Sequence, residues 1–233
     1  MTPLDNPVWS SLTGPHARFA RTEGRARRYD PEVALFSGLP DDPAPDDWDA
    51  LARLLAGAPA VFFAVTPLTV PPSWSVRAAH ESVQMVATRT IGESDPDLVA
   101  LGATDAPEML DLVRRTEPGP FVARTHELGT YLGVRIDGRL VALAGERMHP
   151  PGFTEISAVC TDPEYRNRGL ARRLVRAVAA EIEARGETPM LHARATNTTA
   201  IALYESLGFG LRTRYDVIIA APDGIPDRER PPA

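Results

Sequence analysis

The stretch from Thr154 to Ala195 limits the fold of this chain more than any other part of the sequence. A strand is predicted over Glu155 to Thr161, followed by a polar loop, a long helix over about Gly169 to Arg185, and a second strand over Met190 to Ala195. Gly186 suits the left-handed position that ends a helix. One helical face carries apolar residues at every fourth position, namely Leu170, Leu174, Val178 and Ile182. The pattern predicts a βαβ unit with parallel strands and a right-handed crossover.

Further elements extend this unit into an α/β (α+β) fold with a mixed sheet. The dipeptide Asp137-Gly138 predicts a tight hairpin turn. The other predicted elements are a short helix through Leu51, Leu54 and Leu55, strands at 61–65 and 81–88, an apolar run at 98–101, a helix at 106–116, hairpin strands at 130–136 and 139–148, a helix at 198–207 and a strand at 209–220. We place a boundary near the segment 92–96. This gives an N-terminal region of residues 1–94, a domain of residues 95–221 and a disordered, proline-rich tail of residues 222–233.

Composition excludes several classes of protein. The net charge of −6 argues against broad nucleic-acid binding, and all 25 basic residues are arginine. The longest apolar stretch, Ala58 to Val65, contains Pro59 and is too short to span a bilayer. The first thirty residues do not resemble a secretory signal, and the single Cys160 fits a reducing compartment. We expect a cytoplasmic protein that binds neither membrane nor nucleic acid and, from the histidine spacing, has no metal site.

The loop after the first strand of the βαβ unit is the predicted ligand site. Ligands of α/β sheets bind beyond the carboxyl ends of parallel strands, which here is the segment 162–168. The helix start offers unpaired N–H groups, and Gly169 leaves room for an anion. Arg172, Arg173 and Arg176 have the wrong sign for this end of the helix dipole, and a bound polyphosphate would compensate them. The alternative is that these arginines simply cover a solvated face.

The residues Val159 to Ala171, VCTDPEYRNRGLA, resemble the central motif of the GNAT N-acetyltransferase superfamily, Gln/Arg-x-x-Gly-x-Gly/Ala. This motif follows a strand and opens a helix, and Asn197 and the run Ala200 to Phe209 follow at the family's spacing. The resemblance covers roughly residues 95 to 220. It is nearest to predicted bacterial acetyltransferases related to the C-terminal domain of glycine N-acyltransferases. In that branch an extra N-terminal half resembles a degenerate copy of the fold.

The resemblance implies that acetyl-CoA, or another acyl-CoA, is the cosubstrate. The backbone of the strand before the loop would pair with the pantetheine arm, the amides from Asn167 to Arg172 would hold the pyrophosphate, and Asn197 would bind the arm. The alternative for Asn197 is a role as a helix cap only, and the alternative for Tyr204 is a role in core packing only. The predicted cofactor-binding residues are Val159, Cys160, Thr161, Asn167, Arg168, Gly169, Leu170, Ala171, Arg172, Asn197 and Tyr204.

Three catalytic residues are predicted for acyl transfer. Tyr204 suits the proton donor to the leaving thiolate, because a phenol with a pKa near ~10 is protonated at neutral pH. A backbone N–H near Val159 or Thr161 would stabilise the oxyanion. The general base is either Glu155 or His192, which occupy positions used by two different branches of the family. The alternative for Glu155 is a solvated strand end, and the alternative for His192 is a hydrogen-bonded core residue.

The predicted function is direct transfer of an acetyl group from acetyl-CoA to an amine, without an acyl-cysteine intermediate. The acceptor, a small molecule or a peptide, has no motif in this sequence, and a homodimer is compatible with the prediction. The alternative is a regulatory module that binds acyl-CoA without turnover. A third reading is an interaction protein that acts through its arginine-rich N-terminus.

Overall fold

The computed structural model describes residues 2–65 and 68–225. In this part of the chain a three-stranded and an eight-stranded sheet are packed with five α-helices. The helices are α1 (Pro7–Leu12), α2 (Pro45–Leu55), α3 (Ala106–Thr116), α4 (Leu170–Ala184) and α5 (Thr198–Leu207). The strands are β1 (Ala20–Glu23), β2 (Ala26–Tyr29), β3 (Ser37–Gly38), β4 (Ala60–Ala64), β5 (Trp74–Ala87), β6 (Val99–Ala100), β7 (Tyr131–Ile136), β8 (Arg139–Glu146), β9 (Phe153–Thr161), β10 (Thr188–Arg194) and β11 (Phe209–Pro222).

The large sheet has the strand order β4-β11-β5-β10-β9-β8-β7-β6. The pair β9 and β10 is parallel, and its crossover is α4. The other neighbouring pairs of this sheet are antiparallel. The predicted α/β class with a mixed sheet and a βαβ unit is therefore confirmed.

Helix α4 lies on one face of this sheet. Its apolar stripe is buried with Val83, Met85 and Ile156 in a single core. Gly186 has a φ of 76° and follows the end of the helix, as the sequence predicts. The rigid packing of α4 fixes the position of its first turn, which forms part of the site.

The N-terminal region contributes to the same sheet as the rest of the chain. Strand β5 lies between β10 and β11, and β4 pairs with β11. The predicted division into residues 1–94 and 95–221 therefore does not correspond to two separate sheets. Strand β5 also begins at Trp74 rather than at Glu81, because β11 continues alongside it as far as Pro222. Residues 226–233 of the predicted tail lie outside the described residues, whereas Pro222 belongs to β11.

The opposite face of the sheet is covered by α1, the small sheet and the loops that join them. In this layer Tyr29 and Phe36 pack against Tyr215 and Val217 of β11. The arginine-rich segment forms the hairpin β1–β2, and Arg28 donates to the carbonyl groups of residues 54 and 55 at the end of α2. The N-terminal layer therefore forms a wall over the face of the sheet that lies opposite α4.

Candidate active site

Strands β9 and β10 separate beyond the middle of the βαβ unit. Their paired residues run from Phe153 and Thr188 to Ile156 and Leu191 and end there. Strand β9 continues to Thr161 beside β8, and β10 continues beside β5. The backbone edge of residues 157–161 that faces β10 is therefore free to pair with an extended ligand.

A β-bulge bends β9 at this opening. Ser157 pairs with Gly145 and Cys160 with Leu143, so two residues of β9 oppose one residue of β8. Ala158 has a φ of 55°, a left-handed conformation that is costly for a residue with a Cβ atom. The bulge interrupts the regular pairing of β9 with β8 at Ala158 and Val159.

The loop and the first turn of α4 form a cluster of free donors. Within the described residues, the backbone N–H groups from Asn167 to Arg172 have no hydrogen-bond acceptor, and the first such bond of the helix joins Arg173 N–H to Gly169 O. Asn167 and Gly169 have φ values of 62° and 74°, so the loop curls around these N–H groups. Such an arrangement fits the oxygen atoms of a phosphate.

The arginines of this helix divide into two groups. Arg173 forms a bidentate ion pair with Asp95, with distances of 2.6 and 3.0 Å, and Arg176 pairs with Glu93. The prediction that a polyphosphate compensates all three arginines is thus wrong for these two. Arg172 instead donates to the hydroxyl of Ser206 at 2.7 Å and has no carboxylate within salt-bridge distance in the described chain.

Tyr204 and Asn197 reach the same opening from α5. The Tyr204 ring is buried against Phe209, and its hydroxyl makes no hydrogen bond to another described residue. Burial raises the pKa of Tyr204 to about 12, so the phenol is protonated at neutral pH. Asn197 caps the helix through Oδ1, which accepts from Ala200 N–H at 3.1 Å, and its amide nitrogen stays free to donate.

Cys160 lies on the α3 side of the strand. It is buried with Leu143 and Met109, and burial raises the pKa of its thiol to about 11. A protonated, apolar thiol is a poor nucleophile. This position agrees with the prediction of direct transfer, in which no acyl-cysteine forms.

Glu155 and His192, predicted as alternative bases, form one hydrogen-bonded pair. His192 Nδ1 lies 2.7 Å from Glu155 Oε1, and Arg147 binds both carboxylate oxygens of Glu155. Met148 N–H also donates to Oε2, so the four acceptor positions of this carboxylate are filled. Burial opposes ionisation of Glu155, but Arg147 and His192 outweigh it and lower the pKa of Glu155 to about 2.

The second nitrogen of His192 is also occupied. Its Nε2 lies 3.0 Å from Nε2 of Gln84, which also donates to Leu4 O at 3.0 Å. Oε1 of Gln84 accepts from Arg212 at 2.8 Å, which fixes the orientation of the amide. The Gln84 amide therefore donates to the Nε2 lone pair of His192, and the Nδ1 proton points to Glu155.

A continuous cavity of about 1040 Å³ joins these features. It extends from the first turn of α4, past Asn197 and Tyr204, to a region that we call the inner chamber. The inner chamber lies between the sheet and the N-terminal layer. Its apolar walls are Leu35, Phe36, Val61, Phe63, Tyr215, Val217 and Ile219.

Two basic side chains of the cavity, His80 and Arg194, are not among the site residues predicted from the sequence. His80 lies on β5 opposite Val217, and Arg194 ends β10 opposite Ser82. Neither makes a hydrogen bond or an ion pair in the part of the chain that the structure describes. Burial and the charge of Arg194 lower the pKa of His80 below its ordinary value of 6.5. The predicted strand starts at Glu81, one residue after His80. The sequence pattern therefore did not place His80 in the site.

Comparisons with known proteins identify the family of this chain. Residues 131–217 match the family model described as FR47-like protein. Over 139 residues the chain is 37% identical to the N-alpha-acetyltransferase RimI of Mycobacterium tuberculosis, a match that covers 52% of this chain and 87% of that protein. Over 119 residues it is 34% identical to the [Ribosomal protein bS18]-alanine N-acetyltransferase of Salmonella typhimurium, which covers 48% of this chain and 80% of that protein.

A crystal structure from Novosphingobium aromaticivorans, assigned to the GNAT family of acetyltransferases, is 45% identical with a TM-score of 0.88. The match covers 96% of this chain and 100% of that one. The chain belongs to the GNAT family. It is an N-acetyltransferase that uses acetyl-CoA as its cosubstrate and an amine as its acceptor. A binding module without turnover is not favoured. None of the helices that this GNAT protein forms within residues 2–65 and 68–225 could span a membrane.

Proposed function

We propose that this acetyltransferase carries the acetyl group through the cavity to an amine held in the inner chamber. The observation that carries this proposal is the continuity of the cavity. It connects a cluster of free N–H donors at one end with a protonated phenol in the middle and an apolar chamber at the other. Each end matches one substrate, and the phenol lies between them.

The donor half of the cavity fits acetyl-CoA. The N–H groups from Asn167 to Arg172 and the Arg172 guanidinium would bind the pyrophosphate. The free edge of β9, at Val159, Cys160 and Thr161, would pair with the amides of the pantetheine arm. The Asn197 amide nitrogen would donate to the same arm. These contacts place the thioester at the bulge and near Tyr204.

The chemistry then needs one new bond and one broken bond. The neutral amine attacks the thioester carbon, and the carbonyl oxygen becomes an oxyanion that a backbone N–H near Val159 stabilises. Collapse of this intermediate breaks the carbon–sulfur bond and expels the thiolate. The nitrogen loses one proton and the sulfur gains one. The products are the acetamide and free coenzyme A.

The raised pKa of Tyr204 defines its part in this step. A phenol with a pKa of about 12 holds its proton more tightly than a thiol with a pKa near ~8.5. Tyr204 is therefore proposed to donate a hydrogen bond to the sulfur as negative charge develops. It relays the proton from nitrogen to sulfur rather than giving it up outright.

His80 is proposed as the group that deprotonates the incoming ammonium. It faces the cavity, has no hydrogen-bond or ion-pair partner among the described residues, and is neutral at pH 7 because of its lowered pKa. Glu155 and His192, whose acceptor positions are filled, are proposed to hold Arg147 and the floor of the chamber in place. Tyr204, Glu155 and His192 thus keep roles in the site, but only Tyr204 touches the reacting atoms.

The experiment that tests this proposal follows thiol release from acetyl-CoA together with the thermal shift that acetyl-CoA produces. Asn197→Asp keeps a side-chain oxygen for the helix cap but replaces the amide donor with a negative charge. It should raise KM for acetyl-CoA at least ~10-fold at unchanged Tm. Asn197→Ala is the matched control, since it loses both the cap and the donor. An unchanged KM in Asn197→Asp, or no thermal shift with acetyl-CoA, would contradict the donor site.

A further inference from the structure

The walls, charge and volume of the inner chamber indicate which kind of acceptor it binds. The inference below rests on the proposed function. We infer that the acceptor is a small α-amino acid with an apolar side chain, which is bound through its carboxylate by Arg194. Three features support this assignment. They are the apolar walls, the unpaired cation at the rim and the limited volume.

The walls of the inner chamber are apolar and aromatic. Phe63 stacks on Tyr215 with ring centroids 5.5 Å apart and contacts Phe36 edge to face at 5.0 Å. Val217 and Ile219 continue the same surface along β11. A wall of this kind binds an aliphatic or aromatic group by removing its surface from water.

The wall is preformed rather than loosely attached. Phe36 forms a backbone bridge with Val61 of β4, so the loop between β2 and β3 is tied to the sheet. The guanidinium of Arg147 lies 4.9 Å from the Phe36 ring centroid and is held by Glu155. A rigid wall selects for shape, because little ordering cost is paid on binding.

The unpaired charge beside the chamber is positive. Arg194 has no ion-pair partner among the described residues, and Arg147 is neutralised by Glu155. Among the described residues the cavity is lined by a single carboxylate, Glu117, which is exposed and lies after α3. An acceptor with several ammonium groups would find one exposed partner for them here. A carboxylate would find a planar guanidinium that suits bidentate binding.

The position of Arg194 fits the carboxylate of an α-amino acid. Arg194 and His192 point to the same face of β10, as alternate residues of a strand do, and Arg194 lies opposite Ser82 beside the free end of the strand. An amine at the thioester therefore has the apolar wall on one side and Arg194 on the other. An α-amino acid carries two matching groups beside its amine: an apolar side chain for the wall and a carboxylate for Arg194.

The volume of the cavity favours a small acceptor. The whole cavity of about 1040 Å³ also has to hold the acetylated end of the pantetheine arm. Pockets of a few hundred Å³ are typical for small ligands. The chamber therefore suits one amino acid better than an extended peptide.

The test compares kcat/KM at saturating acetyl-CoA for phenylalanine, phenylalaninamide, phenethylamine, spermidine and a short peptide with an N-terminal alanine. Each value is corrected for the fraction of neutral amine. Phenylalanine should exceed phenylalaninamide and phenethylamine about 10-fold or more and spermidine about 100-fold or more. Arg194→Gln should bring the ratio of phenylalanine to phenylalaninamide close to 1. Arg214→Gln, which removes an exposed arginine paired with Glu81 outside the cavity, should leave this ratio as in the wild type.

The outcomes separate this inference from the proposed function. If phenylalaninamide equals phenylalanine, or if Arg194→Gln leaves their ratio unchanged, recognition of the carboxylate is overturned. If spermidine or the peptide is the best acceptor, the substrate class is overturned. If acetyl-CoA stabilises the protein but phenylalanine is not acetylated, the acceptor assignment fails while the donor site stands. If acetyl-CoA neither binds nor releases thiol, the proposed function itself fails.

Discussion

Tyr204 keeps its proton because its side chain is buried, and no charge among the described residues offsets the effect of this burial on its pKa. Tyr204→Phe removes the hydrogen bond to the sulfur and leaves the ring packed on Phe209. We expect kcat to fall roughly 100-fold, as is typical for loss of a catalytic proton donor, with little change in KM for acetyl-CoA. Steady-state thiol release measures both constants. An unchanged kcat would remove Tyr204 from the reaction.

The proposed role of His80 predicts an acid limb in the profile of kcat/KM against pH. The pKa of His80 lies below 6.5, so the proposed base is unprotonated at neutral pH, and activity should fall as pH drops through this lowered pKa. His80→Gln should lower kcat/KM at pH 7 about 10- to 100-fold and remove this limb. Wild type and variant are compared with the same acceptor, because the acceptor amine also titrates. An identical profile in both proteins would count against His80.

We expect Glu155 to contribute to the stability of the protein rather than to catalysis. In Glu155→Gln the buried Arg147 loses its counter-charge, which should cost about 3–5 kcal/mol of unfolding free energy. The double variant Arg147→Met, Glu155→Gln removes both charges and should recover part of this loss. Urea denaturation measures the two values. A Glu155→Gln protein with full stability and no turnover would instead identify Glu155 as the base.

At the scale of elements, the bulge in β9 and the first turn of α4 place the backbone donors of the site. Ala158 adopts a left-handed φ of 55°, which a β-branched residue tolerates poorly. Ala158→Val should destabilise the protein by about 1–3 kcal/mol and lower kcat, because the strand relaxes and the nearby N–H group moves. Ala158→Gly, which accepts this φ, is the control. Equal kcat in the valine and glycine variants would show that the bulge does not serve the reaction.

At the scale of the whole molecule, the N-terminal layer and the sheet form a common core. His16 joins this layer to the turn before β7, since its ring nitrogens lie 2.9 Å from Tyr29 Oη and 3.2 Å from Leu128 O. Burial first, and then the nearby His149, lower the pKa of His16 to about 3. The unfolded chain therefore binds a proton that the folded chain resists between pH 6.5 and 3.

This difference predicts how stability depends on pH. The free energy of unfolding should fall as pH drops from 6.5 toward 3, by up to about 1.4 kcal/mol per pH unit from His16. His16→Gln should flatten this part of the curve even if the variant is less stable at pH 7. Denaturation at a series of pH values measures the slope. The same slope in the variant would assign the effect to other groups.

The βαβ unit, the hairpin and the proposed acetyl-CoA half of the site could be predicted from the sequence alone. These features are local: apolar spacing sets α4, Asp137-Gly138 sets the turn, and the N–H groups of a helix start need no distant partner. Helices α3 and α5 were predicted over their full observed lengths for the same reason.

The proposed acceptor half depends instead on contacts between distant parts of the chain. Strand β5 comes from the N-terminal region and lies between β10 and β11, and no local pattern specifies that non-local pairing. It brings His80 beside Arg194 and Gln84 beside His192. Glu155 and His192 were separate candidates along the sequence and became one buried pair with Arg147, because burial requires each charge to find a partner.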